Sequence, residues 1–152
     1  MADFGNNVYF KIAQSTGVFT AEELVVLKGM LAECQSNQEL NYILIDEADK
    51  EIVKGFIIFG RTPLTEFCWD FYWLAVSSNF QGKGTGKKLL EKAEDFILRK
   101  NKQAVIRVET SARKEYAHAR NLYVRRGFKE AGRIHGFYSI KDDLVIFYKE
   151  FG

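Results

Sequence analysis

Apolar residues recur along the chain with two different periods, and their order outlines alternating strands and helices. "VYFKIAQ", Val8–Gln14, reads as a first strand. "TAEELVVLKGMLAECQ" reads as a helix, with Thr20 and Glu23 in capping-box spacing and Leu24, Leu27, Met30 or Leu31, and Cys34 on one face. "NYILID" and "EIVKGFIIFGR" are apolar, β-branched runs joined by the polar "EADK", as in a hairpin, and Pro63 marks the loop that follows. The nearly continuous apolar run Phe67–Val76 predicts a fourth strand, central and covered on both faces.

Helical spacing returns at Leu89, Leu90, Ala93, Phe96 and Ile97, and "AVIRVET", Ala104–Thr110, is the expected fifth strand. "RKEYAHARNLYVRRGF" predicts a helix closed by Gly127, and "FKEAGRI" and "DLVIFYKEF" complete the chain as strands. A chain of 152 residues with this order and no internal repeat fits one domain, residues 1–152, of α/β class. Helices packed on the faces of a mixed sheet are its natural arrangement.

Composition narrows the setting. Apolar residues at 47% and charged residues at 28% match a soluble globular protein. A balance of 22 basic against 20 acidic side chains argues against a nucleic-acid partner and makes any anion site local. Cys34 and Cys68 have neither metal spacing nor a pairing pattern, so reduced thiols, no metal and a cytoplasmic location are expected. No run approaches the roughly 20 apolar residues that span a bilayer, so no membrane partner is expected.

The candidate chemistry starts at "QGKGTGKK". Glycines ahead of a helix let an anion approach its free amides, although a tight turn alone would also use them. The nucleotide-triphosphate loop is excluded because Gln81 stands where its first glycine belongs and Lys88 replaces its hydroxyl residue. The dinucleotide fingerprint is excluded because Gly84 is followed by Gly86 and then Lys87, which breaks its register. What remains, Gln81-x-x-Gly84-x-Gly86 after a strand ending "LAV", resembles motif A of the GNAT superfamily of N-acetyltransferases. "ARNLYVRRGF" is similar to the second acetyl-CoA motif of that family, and the element order also matches, so the likeness covers nearly the whole chain.

The resemblance implies a mostly antiparallel sheet of about seven strands flanked by helices, splayed between the fourth and fifth strands to admit acetyl-CoA. It also implies direct acetyl transfer to a primary amine of a small molecule or a peptide. Backbone groups of Leu74, Ala75 and Val76 would then hold the acetyl carbonyl, and the loop Gln81, Gly82, Lys83, Gly84, Thr85, Gly86 and Lys87 would grip the pyrophosphate. Lys88 is a further cation for the phosphates. Where the family often has Asn, seven residues before the helix tyrosine, this chain has Tyr116, and Asn121 is a candidate substitute.

An alkyl ammonium with a pKa near 10.4 leaves roughly one molecule in a thousand nucleophilic at neutral pH, so a base is needed, and the leaving thiolate needs an acid. Tyr123 takes the family's general-acid position, core packing being its other reading. Glu109 is the candidate base, with a salt bridge to Arg107 or Arg113 as its alternative. Asp70 is a rival base, and His118 and His135 are weaker candidates. Phe137, Tyr138, Asp142 and Asp143 suit either a cationic acceptor or a polar turn. A homodimer is compatible with this reading, and a non-catalytic acyl-CoA sensor is the competing function.

Overall fold

The computed structural model describes residues 7–36 and 42–152. Its elements are α1 (Val8–Ser15), α2 (Ala21–Gln35), β1 (Ile43–Asp49), β2 (Ile52–Arg61), β3 (Cys68–Val76), α3 (Thr85–Lys100), β4 (Ala104–Ser111), α4 (Ala117–Arg125), β5 (Lys129–Ser139) and β6 (Asp142–Phe151). Asn41, where the second strand was expected to start, lies outside the described residues.

The first expected strand is a helix. Asn7 caps it, its side chain accepting from the amides of Tyr9 (2.9 Å) and Phe10 (3.1 Å), and Phe10 and Ala13 are buried three residues apart. A run of eight residues is too short for periodicity to separate strand from helix, and the cap decided the matter. Among the described residues the sheet therefore has six strands, in the order β1-β2-β3-β4-β6-β5. The β1–β2 link is also tighter than "EADK": Glu47, Ala48 and Asp49 belong to β1, and Lys50 turns the chain at φ 58°.

Every neighbouring pair is antiparallel except β3 and β4, which are parallel because α3 crosses over between them. Two cores sandwich the sheet. On one face α3 and α4 pack Leu89, Leu90, Ile97 and Tyr123 against Ile57, Phe59, Ile106 and Val145. On the other, α1 and α2 pack Phe10, Leu27 and Leu31 against Phe56 and Ile58. Residues 56–59 of β2 alternate between these cores, which is why that stretch is apolar without interruption.

The parallel pairing of β3 with β4 is short. It runs from Cys68↔Val105 to Phe71↔Val108 and stops. Beyond it β3 continues to Val76, still paired with β2, while β4 continues to Ser111, still paired with β6. The strands therefore part, and the edge of β3 that faces β4 has no strand partner from Tyr72 onward.

Candidate active site

The parting of β3 and β4 opens a cavity of about 830 Å³. Its walls are the end of β3 with Leu74, Ala75 and Val76, the end of β4 with Glu109, Thr110 and Ser111, the start of α3, and one face of α4. Phe71 and Val108, the last paired residues, line it where the strands separate.

Gln81 ties the glycine loop back to the strand, its amide donating to the Val76 carbonyl at 3.2 Å. Gly82 (φ 75°) and Gly84 (φ 82°) take the left-handed conformation that turns the chain into α3. Gly84 offers no side chain to cap the helix, and the first intrahelical bond is from Lys88 to the Gly84 carbonyl (3.1 Å). The amides of Thr85, Gly86 and Lys87 thus precede the ladder and have no helical acceptor. Gly86 serves a different purpose: a Cβ there would lie 2.8 Å from Leu122 Cδ2, so its bareness lets α3 approach α4.

Leu74, Ala75, Val76, Gln81, Gly82, Gly84, Thr85, Gly86 and Lys87 all line the cavity. Lys83 does not; its ammonium lies 5.8 Å above the Phe80 ring. Asn121 is also elsewhere, in a shallow groove with Arg120, Val124 and Phe128. Helical rotation decides this, because the cavity takes His118, Ala119, Leu122 and Tyr123 from α4, with Arg125 at its last residue, and leaves Arg120 and Asn121 on the other side.

Tyr123 is 5% exposed and packs against Phe128 (5.6 Å between ring centroids) and Phe147 (6.0 Å). It is both core and cavity wall. Burial pushes its phenol well above the ordinary value, so the O–H is retained at any physiological pH. Among the described residues its hydroxyl has no hydrogen-bond partner.

Glu109 lines the cavity with a side chain 43% exposed, 3.7 Å from Arg107. Asp70 is committed elsewhere. It accepts from Arg107 at 2.7 and 3.2 Å and from Thr62 at 2.7 Å, and it does not line the cavity. His118 lines the cavity, whereas His135 is exposed and lies 3.0 Å from Asp143. Tyr116 bonds Glu23 through its hydroxyl, and this links α2 to the loop before α4. Thr20 does cap α2, accepting from the Glu23 amide (3.1 Å), but the Glu23 carboxylate turns to Tyr116 and Arg113 instead of closing the capping box.

The cavity is electrically two-ended. Lys87, Arg125 and Arg126 line one end, where Lys87 (4.0 Å) and Arg126 (3.3 Å) both reach Glu91. Glu23, Glu109, Glu115 and Asp142 line the other, with Phe19, Trp73, Tyr116 and Tyr138. Burial, together with the carboxylates of Glu109, Asp142 and Glu23, pushes the Tyr138 phenol up, as expected if those three groups surround it. The nine residues of α4 separate the two ends by about 13 Å. The acceptor end was expected to draw on the helix bearing Glu23, the loop from Arg61 to Phe67 and the last hairpin. The helix and hairpin supply Glu23, Tyr138 and Asp142, and the loop lines none of the cavity. Arg125, Arg126, Phe19 and Trp73 were not foreseen as lining it, the doubled cation in "VRRGF" being the available signal for the first two.

A cavity with free helix amides and cations at one end and an unpaired strand edge along its wall fits a long molecule bearing phosphates and an amide-containing arm. The family model described as acetyltransferase (GNAT) domain matches residues 38–130. A search of curated proteins finds no match. Among solved structures, the chain is similar to a protein assigned to the GNAT family from Desulfovibrio desulfuricans, with TM-score 0.87, 29% identity, and coverage of 93% of this chain and 89% of that one. It shares its fold with YncA from Salmonella typhimurium, solved with acetyl-CoA (TM-score 0.76, 21% identity, 99% and 91% coverage). It likewise shares its fold with an aminoglycoside 6'-N-acetyltransferase complexed with coenzyme A (TM-score 0.70, 16% identity, 98% and 94% coverage). On the strength of the family match and the parted strands that house the cavity, the chain belongs to the GNAT family of acetyltransferases.

Proposed function

We propose that the chain, as one N-acetyltransferase domain, moves the acetyl group of acetyl-CoA directly to a primary amine. The observation that carries this reading is the two-ended cavity between β3 and β4. Acetyl-CoA supplies the activated acyl group. The amides of Thr85, Gly86 and Lys87, with Lys87, Arg125 and Arg126, hold its phosphates at the basic end. The free edge of β3 from Leu74 to Val76 holds the arm, and its fixed backbone dipoles meet the charge that develops on the acyl oxygen.

Glu109 takes a proton from the ammonium, directly or through a water, and leaves the nitrogen lone pair free to bond the acetyl carbon. As the carbon–sulfur bond breaks, Tyr123 gives its retained proton to the departing sulfur. The products are an N-acetyl amine and free coenzyme A, and neither Cys34 nor Cys68 lines the cavity. A cytoplasmic setting agrees with two free thiols, and a homodimer is compatible with the outer edge of β5. Among the described residues no helix is long and apolar enough to cross a membrane.

The test is calorimetric titration with acetyl-CoA followed by thiol release against a panel of amines. Saturable uptake at one site and amine-dependent thiol release are expected. No heat of binding, or binding with no turnover on any amine, overturns the reading.

A further inference from the structure

The acidic end of the cavity holds more negative charge than one reacting amine answers. Arg107 serves Asp70 at 2.7 Å and stands 3.7 Å from Glu109, and Arg113 serves Glu23 at 3.2 Å and Asp142 at 3.4 Å. Glu23, Glu109, Glu115 and Asp142 line this end, and because Arg107 is shared with Asp70 outside the cavity, these four carboxylates draw on Arg113 and only part of Arg107. A third arginine, Arg120, donates to the Ser111 and Arg113 carbonyls (2.7 Å each) and lines the outer groove, not the cavity.

Aromatic rings stand beside this surplus. Phe19 lies 4.7 Å from Trp73 and 6.1 Å from Tyr116, and all three line the cavity. Arg113 already lies 5.1 Å over Tyr116, so this cluster accommodates a cation on an aromatic face. An ammonium at Glu109 answers that carboxylate and leaves Glu23 and Asp142, which share Arg113, next to the rings.

We infer that the acceptor is an alkyl amine with a second cationic centre, of the diamine or polyamine type, and that Phe19, Trp73 and Tyr116 with Glu23 and Asp142 hold that centre while the other amine reacts at Glu109. This rests on the acetyl-transfer reading above. It makes Glu23 and Asp142 specificity-determining residues with no part in moving protons. A permanent second cation gains a cation–π contact and a partly screened ion pair, together worth about a tenfold gain in kcat/KM over a monoamine of equal length.

The experiment compares kcat/KM for a series of α,ω-diamines, the matching monoamines and an arylalkyl amine, at low and high salt. The diamine is expected to lead its monoamine by about tenfold, the lead shrinking in high salt. In Glu23→Gln and in Asp142→Asn the diamine-to-monoamine ratio should fall toward one. That ratio is taken within each preparation, so partial misfolding of a variant leaves it intact. Equal use of diamine and monoamine, or a lead for the arylalkyl amine, overturns this inference and leaves acetyl transfer standing. Turnover on no amine overturns both.

Discussion

Gly55 on β2 sits directly opposite Val76 on β3, at the point where β3 becomes the cavity wall. A Cβ at residue 55 would lie 2.7 Å from the Ala75 carbonyl oxygen, 3.1 Å from Leu89 Cδ1 and 3.2 Å from Val76 Cα. Two of these three atoms are backbone of a paired strand, so no rotamer change relieves the contact. Gly55→Ala must therefore push β3 away from β2 by several tenths of an ångström or break the local ladder, a form of overpacking that costs about 1–3 kcal/mol. The same shift moves Ala75 and Val76, whose backbone is assigned to the acyl group. A misplacement on the order of 1 Å at a reacting centre costs about a hundredfold in rate. Urea melts should show the unfolding free energy lowered by about 1–3 kcal/mol, with the midpoint falling accordingly, and acetyl transfer should fall more than the folded fraction does. A wild-type midpoint with wild-type kcat/KM would refute the claim that glycine is required here for close approach of the two strands.

Gly29→Ala is the contrasting case: Gly29 is exposed within α2 with nothing within 4 Å of an added Cβ, so the change should raise stability by about 0.5–1 kcal/mol in the same melts. Tyr123→Phe keeps the packing on Phe128 and Phe147 but removes the proton donor, so kcat should drop by about a hundredfold while calorimetric affinity for acetyl-CoA stays near wild type; unchanged kcat removes Tyr123 from proton delivery. Tyr9 donates to Asp46 at 2.7 Å, and burial first, then that bond, pushes its phenol up from 10.0 to about 12. A raised phenol pKa stabilises the fold fully below pH 10 and loses that contribution as pH rises through about 12. The stability gap between wild type and Tyr9→Phe should therefore close across that window in denaturant melts, and a gap independent of pH counts against the bond.

Local spacing was enough to read most elements. The apolar period from Leu89 to Ile97, the Gln81–Gly86 loop ahead of it and the helix bearing Tyr123 each carry their signal within one turn or one strand, so they are legible without the fold. Val8–Gln14 was misread as a strand because so short a run satisfies both periods, and only the Asn7 cap and the packing of Phe10 and Ala13 chose the helix Val8–Ser15. What tertiary structure alone decided is which side chains meet. Register across β3 and β4 puts Asp70 opposite Arg107 and so removes a candidate base. The rotation of α4 turns Asn121 away from the cavity and Arg126 into it. Glu23 reaches Tyr116, 93 positions along the chain, only because α2 and the loop before α4 both border the gap where β3 and β4 part. Sequence periodicity reports the face a residue occupies on its own element, whereas contact between elements depends on register and crossover, which no local window contains.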